Sequence, residues 1–169
     1  MAFSPTAPYD LYLGGLANSS NFPAIAGGAY TIWANGVMGF VARLSADLKT
    51  LYQSTYLGSS VFGVAMHPTG EIYATGYSWG SIPIPNTTAG AQPSPGSSGG
   101  DAFVARLSPD LTTIPLATYL GGPGDDSGNS VLIHPNGDIY IVGYTHSTIP
   151  GTTGGAQASY GGGIGDAFV

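Results

Sequence analysis

Two adjacent aspartates, Asp125 and Asp126, are the residues in this chain that most resemble a metal site. They close the segment GGPGDD at residues 121–126, which matches the first half of a calcium-binding nonapeptide. Calcium takes roughly six to eight oxygen ligands, and two carboxylates, loop carbonyls and Asn129 would supply some of them. That nonapeptide works in tandem and this segment occurs once, so the competing interpretation is a turn. We expect no resident cofactor and keep calcium as the alternative.

Two histidines stand at matched positions, because His67 and His134 each precede a proline. Histidines that converge from several repeats could bind a metal ion. No further ligands at a metal-binding spacing accompany them, so we expect each histidine to bond to the backbone of its own turn.

Two arginines also match one another, and the chain has only three Lys and Arg residues in all. A repeated arginine in so uncharged a chain is expected to reach a carboxylate. Asp101 and Asp47 are the candidates for pairing with Arg43 and Arg106, and binding of an acidic ligand is the alternative.

Three aromatic residues in long loops form the candidate ligand-binding set: Trp33, Trp79 and Tyr160. Exposed loop aromatics can stack on sugars or on another protein, and the alternative is that they cover the apolar faces of sheets. The same loops contain two N-x-S/T patterns for glycosylation, at Asn18 and Asn86. Such patterns belong on secreted surface loops, although they also arise by chance in chains rich in Ser and Thr.

Catalysis, nucleic-acid binding and membrane insertion find little support in the sequence. There is no G-x-S-x-G nucleophile motif, and no catalytic residue can be assigned. The formal net charge is −6, and three cations cannot neutralise a nucleic-acid backbone. The chain contains no run of 18 apolar residues, so no transmembrane helix is predicted. We therefore expect neither an enzyme nor a partner of nucleic acids or lipid bilayers.

The composition is typical of an all-β protein with many tight connections. Gly occurs 28 times and Pro 13 times, Tyr occurs 11 times, and 43% of residues are apolar. Charged residues make up 7%, against roughly a quarter in an average protein. A charge-poor surface with a single Glu favours an extracellular or cell-surface location over a cytosolic one, whereas the absence of Cys does not decide the compartment.

The chain repeats itself with a period near 65 residues, and such a period must be considered before any fold is assigned. Four short motifs recur in the same order: DLY, EIY and DIY at 10–12, 71–73 and 138–140; FVARLS at 40–45 and 103–108, with FV at 168–169; STYLG and ATYLG at 54–58 and 117–121; MHPTG and IHPNG at 66–70 and 133–137. A partial copy spans Ala2 to Ser4.

Each repeat contains four strand-like runs, at 131–134, 138–144, 102–107 and 116–120 in the best-defined copies. The second run is apolar at successive positions, which predicts burial of both its faces. No stretch has a helical apolar period over three turns. A four-stranded antiparallel unit at a fixed period predicts propeller blades that stack on one another, with a parallel β-helix as the weaker alternative.

Taken together, DAFVARLSPD, ATYLGG, HPNGDIYIVGYT and IPGTTGGAQASYGGGIGDAFV closely resemble the bacterial beta-propeller repeat family called SBBP. The resemblance runs from Phe3 to Val169. It implies propeller blades of large, usually secreted or surface-associated proteins, and it brings no catalytic residues. The first copy departs from the pattern, since Met38-Gly39 replaces Asp-Ala, and residues 57–60 lack the GGPGDD insertion.

We therefore expect a single repeat-built domain of about three blades, at about 1–58, 59–122 and 123–169, with the third partial. Closed propellers need at least about four blades. Further repeats or a homo-oligomer would supply the rest, as a ring or as an open filament. The expected function is structural or adhesive, with self-assembly through open blade edges, and the alternative is binding of carbohydrate or protein at the rim aromatics.

Overall fold

The structure is a computed structural model that describes residues 1–3, 9–34, 36–80, 82–96 and 99–169. Ser4, the end of the partial first run, lies outside these ranges. The described residues contain strands, turns and irregular loops but no helix, which confirms the all-β prediction. Consequently, no helix in these ranges is long and apolar enough to cross a membrane.

The strands form three open antiparallel sheets that do not close into a barrel. The first sheet has the order β1 (Ala2–Phe3), β2 (Leu11–Ala17), β3 (Met38–Leu44), β4 (Leu51–Tyr56). The second has the order β5 (Ser60–Met66), β6 (Ile72–Trp79), β7 (Gly100–Leu107), β8 (Leu116–Leu120). The third consists of β9 (Asp126–Ile133), β10 (Ile139–Thr145) and β11 (Asp166–Phe168), with β10 in the middle. This is a propeller-like arrangement of blades.

Short local turns fix the first hairpin of the second and third sheets. At each turn a histidine amide donates to the residue four positions on, His67 to the Glu71 carbonyl and His134 to the Asp138 carbonyl, both at 2.9 Å. Gly70 and Gly137 both have φ of +96°, a conformation in which only glycine avoids strain. The MHPTG and IHPNG motifs therefore set the register of these hairpins.

Strand β9 is longer than the sequence predicted. It begins at Asp126 instead of Val131, so the second of the paired aspartates is part of a strand and not of a loop. Of the extra residues, Ser130 pairs with Val142, and 126–128 pair with Gly143–Thr145 beyond a bulge between Val142 and Gly143. Pairing across the bulge extends a segment whose own composition, rich in Ser, Gly and Asn, does not favour a strand.

The three sheets stack face to face in chain order. A Cβ atom placed on Gly14 of the first sheet would collide with the side chains of Val61 and Val64 in the second. A Cβ atom on Gly63 of the second sheet would lie 2.8 Å from the backbone nitrogen of Val131 in the third. Glycine at both places lets adjacent sheets approach to backbone distance.

Strand β6 is buried on both faces, as predicted for the second run. Ala74, beside the first sheet, and Thr75, beside the third, are both fully buried. The same prediction was wrong for 138–144 in the third sheet, where Tyr140, Val142 and Tyr144 are exposed. Among the described residues, nothing covers that face of β10.

Val104→Pro should test the assignment of β7 as an inner strand. Val104 pairs with Thr75 on one side and Thr118 on the other, so proline removes a donor from the middle of a sheet. We expect a loss of at least about 2 kcal/mol in the free energy of unfolding, measured by urea denaturation. Val104→Thr keeps the amide and the β-branched shape and is the control. Equal stability of the two variants would contradict the assignment.

Candidate interaction surfaces and the buried aspartate pair

One side of the third sheet carries a row of exposed apolar and aromatic side chains. Leu132, Tyr140, Val142 and Tyr144 lie on it, with exposed fractions of 61%, 46%, 39% and 41%. Leu132 pairs directly with Tyr140, so the side chains form one continuous surface across β9 and β10. We call these four residues the bare face.

The repeat shows what such a face does elsewhere in the chain. Val142 occupies the position of Thr75 in the second sheet and Gly14 in the first, and both of those lie against the next sheet. Tyr140 matches Tyr12, which is almost completely buried and donates its hydroxyl to the Pro109 carbonyl at 2.7 Å. The position of Val142 is therefore an interface position in both preceding sheets, and that of Tyr140 is one in the first sheet.

A second open surface lies along the free edge of β11. A cavity of about 470 Å³ separates this strand from the preceding long loop. Thr148, Ile149, Gly155 and Gln157 line it on the loop side, and Phe168 lines it on the strand side. In the first two sheets this place is taken by a fourth strand, β4 or β8.

A pair of buried carboxyl groups lies where the second and third sheets meet. Asp101 of β7 and Asp126 of β9 are both fully buried, and both carboxyl groups lie against Gly121. The Gly96 amide donates to Asp101 Oδ2 at 2.6 Å, but Asp101 Oδ1 has no hydrogen-bond partner. Asp126 accepts from the Gly122 amide at 2.9 Å and from the Thr145 hydroxyl. We call Asp101 and Asp126 the aspartate pair.

Burial raises the pKa of Asp101 to about 6, and the negative charges of Asp126 and Asp125 add to the effect. A protonated Asp101 can donate to Asp126, whereas two ionised groups would face each other in a poorly solvated space. A single proton on the aspartate pair therefore removes the repulsion between its two carboxylates.

The residues proposed for calcium accept hydrogen bonds from other protein groups, and Asn129 Oδ1 accepts from the Ser127 hydroxyl at 3.0 Å. Asp125 Oδ1 accepts from the Gly100 amide at 3.0 Å, and both oxygens of Asp126 are engaged as described. Within the described ranges, no group of three or more acidic or histidine side chains is placed to hold a metal ion. The arrangement is that of a loop closure between β7 and β9.

The three candidate aromatics lie in different surroundings. Trp33 is half-buried in an apolar cluster, with its ring 5.4 Å from that of Tyr56. Trp79 is 51% exposed at the end of β6. Tyr160 donates its hydroxyl to the Gly163 carbonyl at 2.8 Å and lines the cavity beside β11. No ring contact in the described part of the chain joins the three, and ligand binding by them stays a prediction.

The two glycosylation candidates differ in how free their side chains are. Asn18 is exposed at the end of β2. The side-chain amide of Asn86 donates to the Ile114 carbonyl at 2.5 Å, and its backbone has φ of +59°. Glycosylation at either residue stays a prediction, and at Asn86 it would have to displace a hydrogen bond.

The repeated arginines pair with carboxylates, but not with those named from the sequence. Arg43 contacts Asp10 at 2.5 Å, and Arg106 contacts Glu71 at 3.5 Å. The partners Asp10 and Glu71 open the matched DLY and EIY motifs and immediately precede β2 and β6, the strands that pair with β3 and β7. They replace the expected Asp101 or Asp47.

The repeated histidines bond within their own turns, as expected. The Thr69 amide donates to His67 Nδ1 at 3.2 Å, and the Asn136 amide donates to His134 Nδ1 at 3.3 Å. Each Nδ1 also lies 2.6 Å from a side-chain oxygen of the same residue, Thr69 or Asn136.

Sequence reasoning named Asp101 only as a partner for an arginine, and it missed both the bare face and the pairing of Asp101 with Asp126. A signal for the face was present, because alternate apolar residues of 138–144 match residues that face the next repeat. A signal for Asp101 was its recurrence as Asp166, where the Gly161 amide donates to the carboxylate as Gly96 does to Asp101.

The aspartate pair should make stability fall as the pH rises from 4 to 7. The folded chain keeps the Asp101 proton up to a pH of about 6, whereas the unfolded chain releases it near the ordinary value of 3.8. Raising the pH between these values therefore removes at most about 3 kcal/mol from the free energy of unfolding. Urea denaturation across this pH range measures it, and Asp101→Asn should flatten the dependence.

Asp47→Asn is the matched control for that measurement. The hydrogen bond from Ser45 lowers the pKa of Asp47, so the ionised Asp47 stabilises the folded chain and this contribution is lost as the pH falls. Its pH dependence is therefore opposite in direction to that of Asp101. The control should keep the loss of stability between pH 4 and 7. A wild-type stability that rises over this range would contradict the assignment.

Comparison with known proteins agrees with this architecture. The sequence model of a beta-propeller repeat, the SBBP family, matches residues 117–149, which run from β8 through β9 and β10 into the third long loop. No curated protein matches the chain. The resemblance inferred from the motifs is thus confirmed for this segment: residues 117–149 carry a beta-propeller repeat of the SBBP type.

Proposed function

We propose that this chain is a structural and adhesive repeat module of an extracellular or cell-surface protein, and that it assembles by stacking another blade on the bare face. The observation that carries the proposal is a difference in burial between equivalent positions of the repeats. Thr75 is fully buried by the third sheet and Tyr12 lies beneath the second, whereas Val142 and Tyr140 have no cover among the described residues.

The chemistry of the bare face suits a second blade. It consists of two tyrosines, a valine and a leucine, with Ser130 paired to Val142, and none of these side chains is charged. Covering such side chains is worth about 25 cal/mol for each Å² of apolar surface removed from water. A second copy of this chain or a further repeat would offer a surface of the kind that already covers Thr75.

Stacking has two geometrical outcomes. A head-to-tail contact closes into a ring when the rotation between blades permits it and extends into a filament when it does not. The edge of the third sheet, on which the sequence-based expectation rested, is part of the same open end. The structure adds the exposed apolar face beside that edge.

The extracellular location rests on composition. Charged residues are 7% of the chain, and the loops are rich in Gly, Ser and Thr. The resemblance to SBBP repeats, which implies secreted or surface-associated proteins, supports the same location.

Light scattering coupled to size exclusion tests the assembly. We expect the purified chain to form a discrete multimer or a concentration-dependent series, and Val142→Asp to reduce it to a monomer, because a carboxylate in that contact would be desolvated. Leu48→Asp is the matched control. Leu48 is exposed in the turn after β3, distant in sequence from Val142, and its φ of +60° suits aspartate. A wild-type chain that stays monomeric would contradict the proposal, as would a Val142→Asp variant that assembles normally.

A further inference from the structure

The fourth strand of each complete sheet is held on two sides. On one side β4 pairs with β3 and β8 pairs with β7. On the other side part of the long loop that precedes the third strand, residues 22–30 or 84–92, lies against the fourth strand through its own backbone. The strand thus fits between a sheet edge and a loop.

The loop contacts are the same in both sheets. In the second sheet, the Tyr119 amide donates to the Gln92 carbonyl at 3.0 Å, and the Gln92 amide donates to the Thr118 hydroxyl at 2.9 Å. In the first sheet, Tyr56 donates to the Tyr30 carbonyl at 2.9 Å, and Tyr30 donates to the Thr55 hydroxyl at 2.8 Å.

Two further contacts are shared. A loop residue that precedes proline donates its amide to the tyrosine hydroxyl of the fourth strand. These bonds run from Ile84 to Tyr119 at 3.2 Å and from Phe22 to Tyr56 at 3.4 Å. The residue before Thr118 donates its amide to the Asn86 carbonyl at 3.0 Å, and Ser54 donates to Ala24 at 2.9 Å.

A glycine in each loop permits this approach. A Cβ atom on Gly28 would collide with the Ser54 carbonyl oxygen, and one on Gly90 would collide with the Ala117 carbonyl oxygen. The GGA and AGA motifs of these loops therefore place the fourth strand against bare backbone.

The third sheet carries the same set of groups without a strand. By the repeat, Ile149 matches Ile84, Gly151 matches Asn86, Gly155 matches Gly90, and Gln157 matches Gln92. The structure gives no hydrogen bond to the backbone amide of Ile149 or to the backbone amide and carbonyl of Gln157. Gly151 has φ of +87°, close to the +59° of Asn86, so its backbone is set in the same way. These groups line the cavity beside β11.

From this correspondence we propose that the cavity is a binding slot for an extended segment of sequence Thr-Tyr-Leu-Gly, supplied by another copy of the repeat. The two such segments of this chain, at 55–58 and 118–121, already occupy their own sheets. The incoming segment adds to β11 as a fourth strand, by β-augmentation. We name this site the strand slot.

The register follows from the two occupied sheets. Tyr56 pairs with Phe40, and Tyr119 pairs with Phe103, so the incoming tyrosine pairs with Phe168. The threonine then lies opposite Val169, with its hydroxyl accepting from the Gln157 amide. The tyrosine hydroxyl accepts from the Ile149 amide, as its equivalents do from Ile84 and Phe22.

The strand slot goes beyond the assembly proposed above, because it uses a sheet edge and backbone hydrogen bonds instead of the bare face. A chain can have either surface without the other. The experiment is therefore done on the Val142→Asp variant, in which stacking on the bare face is removed.

A fluorescein-labelled synthetic peptide with the sequence of residues 115–122, PLATYLGG, is the probe. We expect saturable binding by fluorescence anisotropy, with amide chemical-shift changes at Gly151, Gln157 and Phe168 in NMR spectra of the ¹⁵N-labelled chain. A peptide with Val in place of the threonine should bind about tenfold more weakly, because the Gln157 amide loses its acceptor. A scrambled peptide should not bind.

Gly155→Val is the blocking variant, and it should weaken binding of the probe by at least about tenfold. In the empty slot a Cβ atom at this position has only the Thr152 carbonyl oxygen near it, at 3.1 Å, so the variant should fold. Thr153→Val, an exposed neighbour outside the shared contacts, is the matched control and should stay within about twofold of the parent. Circular dichroism confirms that both variants are folded.

Three results would overturn the strand slot: no binding of the probe, equal binding by the Gly155→Val and Thr153→Val variants, or shifts confined to the second sheet. Assembly of the wild-type chain without peptide binding would overturn the slot and leave the stacking proposal intact. If the wild-type chain stays monomeric but the peptide binds, the stacking proposal is overturned and the strand slot is supported.

Discussion

The stacking of sheets that are apolar on both faces is the constraint on which this structure depends. Ala74 and Thr75 are neighbours in β6, point to opposite sides, and are both fully buried. A four-stranded sheet of this kind exposes too much apolar surface to stand alone, so it must pack against neighbouring sheets. Glycines 14 and 63 let those neighbours approach closely. The third sheet has such a neighbour on one side, and its other side is the bare face.

The two junctions between sheets are built from different chemistry. The position of Asp101 is taken in the first repeat by Met38, which is fully buried in an apolar cluster. The junction of the second and third sheets instead contains the aspartate pair. The free energy needed to bury this pair depends on whether one of its carboxyl groups is protonated. Asp101 also accepts the Gly96 amide and so ties the end of a long loop to β7. One residue thus links the loop, the strand and the junction.

Faces and edges give this chain two different means of association. Contact through the bare face draws on apolar burial, whereas the strand slot draws on backbone hydrogen bonds that water would otherwise satisfy. The loop of the slot is already ordered by its own bonds, from the Thr152 hydroxyl to the carbonyls of Ile149 and Ala158 at 3.0 and 2.9 Å. Such preorganisation lowers the entropy that an incoming strand must overcome.

Much of the fold could be predicted from the sequence, because its signals are local. Alternating apolar residues and turn motifs located β8 at Leu116–Leu120, and the repeats gave the order of strands. The start of β9 could not be predicted, since residues 126–128 pair with β10 only beyond a bulge. The partners of Arg43 and Arg106 were likewise decided by strand register.

The amino-acid sequence by itself determined that this chain is all-β, that it is built from repeats of four strands, and where most of its turns lie. Only the tertiary structure decided which apolar residues stay exposed, since a pattern shows that a face needs cover but not whether a sheet provides it. Only the tertiary structure brought Asp101 beside Asp126 and set Gln157 opposite a free edge at Phe168. Those relations join residues on different strands and loops, and packing in three dimensions is what fixes them.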